Sequence, residues 1–219
     1  ERIGGLGSVE VRSILAAEAT YGYRNKMEFT VARARGRLGL TVGLHEAERY
    51  GARTSLLPVD QSGVASLDAL DALLAGTRPG GRPTLVSIMW INNETGTIQP
   101  VRQIAERCAA ADVPVHTDAV QAFGKVPVNL RDVPVASATL SAHKIGGPKG
   151  IGVLFVRDRE GVKGMVHGGS QQGGLRPGTE NVAGAVGFGV AAELAAEEQP
   201  AGCVNLRTMR EVLEAAIRE

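Results

Sequence analysis

The sequence predicts an α/β fold, a mostly parallel sheet flanked by helices with a β-rich segment ahead of it, and three observations predict it. Apolar runs of strand length alternate with segments whose apolar residues recur at helical spacing. The connections between them are short and carry glycine and proline. Three of the apolar runs also end in polar residues, the pattern expected where parallel strands deliver a ligand site at their carboxyl ends.

Each element follows from its own residues. In the first 49 residues Tyr23, Met27 and Phe29 alternate against Arg24, Lys26 and Glu28, which reads as a half-buried strand pair. In SLDALDALLAG the leucines at 67, 70, 73 and 74 define a helix, with Ser66 as N-cap and Gly76 as terminator. TLVSIMWI, Thr84 to Ile91, is a continuous apolar strand that ends in Asn92, Asn93 and Glu94. PVRQIAERCAAA is a helix with Pro100 in its first turn and Ile104, Cys108 and Ala111 on one face. VPVHTD is a strand whose polar end carries His116 and Asp118. ATLSAHK and GVLFVR are two more strands around the glycine-rich turn of Gly146, Gly147 and Gly150. Two helices close the chain, Asn181 to Glu198 and Asn205 to Glu219, with Cys203 in the turn between them.

Composition excludes several classes of function. A formal charge of +1 gives no electrostatic reason to expect duplex DNA as partner. Cys108 and Cys203 are in neither CxxC nor metal-ligand spacing, which argues against a disulfide framework and a structural zinc site and suits a reducing compartment. No pair of histidines has ligand spacing, so no metal is expected. No apolar run approaches the roughly 18 residues of a membrane span, so the expected location is the cytoplasm, or an organelle matrix if a targeting segment precedes residue 1.

The chemistry centres on LSAHKIGGPKGIGVLFVR, Leu140 to Arg157. A turn lysine is ordinarily solvated. A lysine at a strand end facing a pocket can instead form a Schiff base with an aldehyde cofactor. Were that cofactor pyridoxal phosphate, its ring nitrogen would need a carboxylate to stay protonated. Asp118 can supply it; Gln121, one helical turn further on, can donate to the phenolic oxygen, and Ser141 and His143 can hold the phosphate.

SIMWINNETGTIQPV, VHTDAVQAFGKVPV, LSAHKIGGPKGIGVLFVR and GGSQQGGLRPGTENVAGAVGFG together resemble the pyridoxal-phosphate cysteine desulfurases of the class V aminotransferase family, from about residue 50 to the end. The resemblance implies a partial large domain of fold-type I pyridoxal-phosphate enzymes over residues 50–219, incomplete at both ends. It implies Lys144 as the Schiff-base lysine, Asp118 as partner of the pyridinium nitrogen and Gln121 as ligand of the phenolic oxygen. Ser141 and His143 become phosphate ligands, Asn93 lies near the cofactor and the substrate carboxylate, and Thr179 reaches the phosphate of the other subunit in a homodimer. The implied reaction converts L-cysteine to alanine and passes sulfur to an acceptor or scaffold protein, for iron-sulfur cluster assembly or tRNA thiolation. The alternatives are an inactive fragment of this fold or another class V aminotransferase or lyase.

The sequence also departs from that pattern. The family's persulfide cysteine and substrate-binding arginine lie in a C-terminal region this chain does not reach, and neither Cys108, read as a core residue, nor Cys203 matches the sulfur-carrying loop. The family's phosphate-binding helix start and ring-stacking histidine are not visible before residue 50. Residues 1–49, with YRNKMEF and GLH, instead resemble a fragment of the uracil-5 RNA methyltransferases, without their methyl-donor site or catalytic cysteine.

Overall fold

A computed structural model describes residues 29–33, 40–44, 55–76, 81–159 and 162–218. Strands β1 (Phe29–Arg33) and β2 (Leu40–Leu44) pair antiparallel as a two-stranded sheet. Tyr23, Arg24, Lys26, Met27 and Glu28, on which the amphipathic reading of this segment rests, lie outside the described residues, as does most of the stretch resembling an RNA methyltransferase.

The main sheet has four strands, β3 (Val86–Met89), β4 (Val115–Asp118), β5 (Ser137–Ser141) and β6 (Gly152–Val156), lying side by side in chain order. The first three run parallel, and β6 returns antiparallel along β5. Helices α1 (Leu67–Leu74) and α2 (Val101–Ala110) supply the apolar layer against it.

The pleat divides the strands into two unlike faces. Val86, Ile88, Val115 and Leu140 pack with Leu70 and Leu74 of α1 and Ile104 and Cys108 of α2 in one core. On the opposite face the register aligns Ser87, His116 and Ser137, then Met89, Asp118 and Thr139, with Ser141 next along β5. One face is thus a hydrophobic wall and the other a polar surface, and the polar one carries Asp118.

The local determinants of α1 are those expected: the Ser66 hydroxyl accepts from the Ala69 N–H at 3.2 Å, and Gly76, at φ +70°, ends the helix. Pro100 occupies the N-cap of α2 rather than its first turn. The strand read as Thr84–Ile91 is shorter, ending at Met89: the Trp90 N–H still donates to the Asp118 carbonyl of β4 at 2.8 Å, but the chain turns off the sheet after it. The Trp90 carbonyl then accepts from the Gln99 N–H, closing a loop over residues 91–98. The buried Gln99 side chain fastens that loop to the preceding turn, accepting from Ala65 N–H at 2.8 Å and donating to the Gly63 carbonyl at 2.7 Å.

The C-terminal region differs from the sequence reading. A single helix α3 (Val182–Arg218) replaces the two expected, and Pro200 lies inside it. Proline at 200 removes one backbone donor, which leaves the Ala196 carbonyl without its helical partner. Cys203 is consequently a helical residue, and its thiol donates to the Lys125 carbonyl. Packing on the first half of the helix holds it in place: Ala191 meets the glycine turn, and the Phe188 ring stands edge-on to Phe123 with centroids 6.4 Å apart. Among the described residues, no helix is long and apolar enough to cross a membrane.

Thr117 sits on the hydrophobic wall, fully buried, and among the described residues its hydroxyl has no hydrogen-bond partner. An unmet buried hydroxyl costs about 1–3 kcal/mol. Thr117→Val, which keeps the shape and removes the hydroxyl, is expected to raise the free energy of urea unfolding by about 1 kcal/mol. A decrease of similar size would show that the hydroxyl is satisfied in solution.

Candidate functional site

Asp118 is the last residue of β4, and β5 ends one residue before the Ala142–Lys144 turn, a single turn of 3-10 helix. Because Asp118 is in register with Thr139, the carboxylate and the turn emerge at the same edge of the sheet from adjacent strands. The Ala119 N–H reinforces this by donating across to the Thr139 carbonyl at 3.0 Å. Asp118 is exposed, and its Oδ1 accepts from the Val120 N–H at 2.9 Å, which fixes the carboxylate at the start of the following turn.

Ser141, His143 and Lys144 occupy the neighbouring strand end. The Ser141 hydroxyl and His143 Nδ1 are 2.7 Å apart, and both His143 and Lys144 are exposed. The glycines that follow make this turn possible: Gly146 and Gly150 have φ near +80°, where other residues are strained. At Gly147 a Cβ would lie 3.0 Å from Ala142 Cβ and 3.1 Å from Ala191 Cβ, so any side chain there would have to push the turn and α3 apart. The glycine-rich turn between the two strands is thus the seat of α3.

Lys144 also lines a cleft of about 650 Å3 between this turn and α3, together with Lys125, Pro148, Leu194 and Cys203. Asp118, Ser141 and His143 are not among its lining residues; Asp118 and His143 are exposed and Ser141 is partly buried. Gln121 follows Asp118 in a tight turn, and its Oε1 accepts from Lys125 Nζ at 2.5 Å. Burial pushes the Lys125 amine below its ordinary value, and the charge of Lys144 lowers it further. Asn93 is exposed at the tip of the loop after β3, where its Nδ2 donates to Glu94 Oε1 at 2.8 Å. The loop is shaped by its neighbour Asn92, whose Oδ1 accepts from the N–H groups of Glu94 and Thr95. Thr179 is exposed in the segment ahead of α3.

His116 hydrogen-bonds Ser137 Oγ at 2.9 Å across the polar face, the strand role its place beside Asp118 predicts. Cys108 is fully buried in the core, and burial, followed by the charge of Asp71, raises its thiol to about 11. The residue missed from sequence is Lys125, although its position four residues after Gln121 is the spacing at which side chains meet along a helical turn.

This set of donors fits pyridoxal phosphate. The group needs an anion for its ring nitrogen, an amine for its aldehyde, and hydroxyl or imidazole donors for its phosphate. Asp118, Lys144 and the Ser141–His143 pair offer these at adjacent strand ends. A sheet so arranged is that of the large domain of fold-type I pyridoxal-phosphate enzymes.

The chain belongs to the class V aminotransferase family: the Aminotransferase class-V model matches residues 38–205, beginning ahead of the boundary expected near residue 50. It is 42% identical over 205 residues to a cysteine desulfurase of Bradyrhizobium diazoefficiens, covering 94% of this chain and 50% of that one. The solved structure of a NifS-like protein aligns with a TM-score of 0.73 at 38% identity, over 78% of this chain and 46% of its own. A NifS-like protein from Rickettsia africae aligns at 0.72 and 31% identity, over 78% and 47%. The chain spans about half the length of the curated relatives it matches.

The environment of His116 generates a pH dependence. Burial lowers its imidazole below the ordinary value of 6.5, with Asp118 opposing part of the shift. The unfolded chain then binds this proton at a higher pH than the folded chain, so stability falls as pH drops below about 6.5 and levels off once the folded imidazole is also protonated. In His116→Gln the decline in urea midpoint between about pH 7 and 5 is expected to be shallower than in the wild type. An identical slope would show that His116 keeps an ordinary titration.

Proposed function

We propose that this chain is the cofactor-binding part of a pyridoxal-phosphate-dependent cysteine desulfurase, with residues 50–219 forming the partial large domain. The observation that carries the reading is the register of β4 with β5, which brings Asp118 and the Ser141–Lys144 turn to one sheet edge. The relatives named cysteine desulfurase support the choice of reaction within the family.

Bound pyridoxal phosphate supplies an electron-withdrawing ring that stabilises negative charge at the substrate's α-carbon. The chain's own residues do the rest. Asp118 holds a proton on the ring nitrogen, and Gln121 directs an amide N–H at the phenolic oxygen. The hydroxyl of Ser141 and the imidazole of His143 bind phosphate oxygens. Lys144 is the covalent anchor and the carrier of the α-proton. Asn93, on the loop beside this edge, orients the substrate carboxylate, and Thr179 serves the phosphate of a second copy in a homodimer.

The substrate is L-cysteine. Its carbon–sulfur bond breaks, sulfur joins an acceptor thiol as a persulfide, and alanine leaves. Neither cysteine described here is placed for that acceptor role: Cys108 is sealed in the core and Cys203 is held within α3. The acceptor thiol therefore comes from outside these two positions, and the sulfur goes on to an acceptor protein for cluster assembly or tRNA thiolation. A reducing compartment, cytoplasm or organelle matrix, keeps both cysteines as the free thiols observed.

The test is to load the protein with pyridoxal phosphate, supply L-cysteine and a thiol reductant, and measure alanine and sulfide. Both products are expected in equal amounts. Lys144→Ala is expected to lose the visible absorbance of the covalently held cofactor and to lower turnover on the order of 10³-fold. Retention of that absorbance in the variant, or amino-group exchange with an oxo acid in place of sulfide release, would overturn the reading.

A further inference from the structure

We propose that Lys125 is a positioning residue that sets the orientation of the Gln121 amide and so makes Gln121 a donor toward the cofactor; this rests on the reading above. The geometry is direct. Lys125 Nζ and Gln121 Oε1 are 2.5 Å apart, both side chains are partly buried, and Lys125 shares its cleft with Lys144. A glutamine amide has one accepting end and one donating end, whereas an ammonium group only donates. The contact therefore commits the Gln121 carbonyl to Lys125 and turns the NH2 group away from it. The phenolic oxygen of the cofactor carries negative charge and requires a donor. With Lys125 absent, the amide would be equally able to present its carbonyl, which repels that oxygen.

Lys125 is itself held by three elements. Its backbone N–H donates to the Ala122 carbonyl at 3.0 Å. Its carbonyl accepts from the Cys203 thiol on α3, and that sulfur in turn accepts from Gln199 Nε2 at 3.2 Å. The preceding Gly124, at φ +74°, is wedged between Ile145 and Ala195, where an added Cβ would come within 2.8 Å of Ile145 Cγ2 and 3.0 Å of Ala195 Cβ. The turn carrying Lys125 is thus clamped between the 142–144 turn and α3. Cys203 acquires a role from this arrangement, as the clamp on the Lys125 backbone.

The experiment titrates the protein with pyridoxal phosphate and reads affinity and the position of the visible absorbance band, with urea midpoints as a control on folding. Lys125→Met is expected to weaken binding about tenfold and to shift the band. Lys125→Arg, which retains a donor, is expected to stay within about threefold of the wild type. In a Gln121→Ala background, Lys125→Met is expected to change affinity less than twofold, because the residue through which it acts is gone. Wild-type affinity and band in Lys125→Met, or the full tenfold effect persisting in the Gln121→Ala background, would overturn the proposal. Should Lys125→Met not fold, Lys125→Glu replaces it as an acceptor that claims the Gln121 NH2: a loss of about tenfold or more that shrinks in the Gln121→Ala background supports the proposal, and near-wild-type affinity contradicts it. A wild-type protein that takes up no cofactor overturns the desulfurase reading first, and this role with it.

Discussion

The register between β4 and β5 is the constraint on which the site depends. Parallel strands in register point partnered side chains to the same face, so pairing His116 with Ser137 and Asp118 with Thr139 aligns two polar rows that neither strand specifies alone. A slip by one residue would turn Asp118 into the α1–α2 core and bring Thr117 out to the polar face. That slip is strongly disfavoured, because it would bury a carboxylate and expose Val115, which is fully buried in the core. Burial of one face therefore fixes the chemistry of the other.

The second requirement is close approach of backbone to backbone behind the lysine turn. Gly147, Ala142 and Ala191 are all small, and together they let α3 rest directly on the turn that carries His143 and Lys144. The backbone of the turn is thereby supported from behind by the helix. The same helix reaches the Lys125 segment through Cys203, so one element braces both the amine at 144 and the turn that follows Asp118. Beyond that contact α3 carries exposed apolar side chains, among them Val204, Met209, Val212 and Ile217.

Much of this was legible in the sequence because it is written locally. The Ser66 cap, the terminating Gly76, the apolar face of α2 with Cys108 in the core, and the polar ends of the strands each follow from a few adjacent residues. The placing of Asp118 and Lys144 at one edge was legible through alternation of strand and helix. What escaped depends on contacts between distant segments. Pro200 reads as a break, yet α3 continues through it and meets the Lys125 carbonyl with Cys203 on the far side. Gln99, to which the sequence assigns no role, is a buried staple to the turn at Gly63. Lys125 is not singled out by the sequence, and only the fold shows it beside Gln121 and Lys144.

A crystal structure of the protein soaked with pyridoxal phosphate tests the central claim most directly. The account predicts density joining Lys144 Nζ to the cofactor, the ring nitrogen within about 3 Å of an Asp118 oxygen, and the phosphate against Ser141 and His143. A cofactor bound with its nitrogen turned away from Asp118, or held by a different lysine, would contradict it.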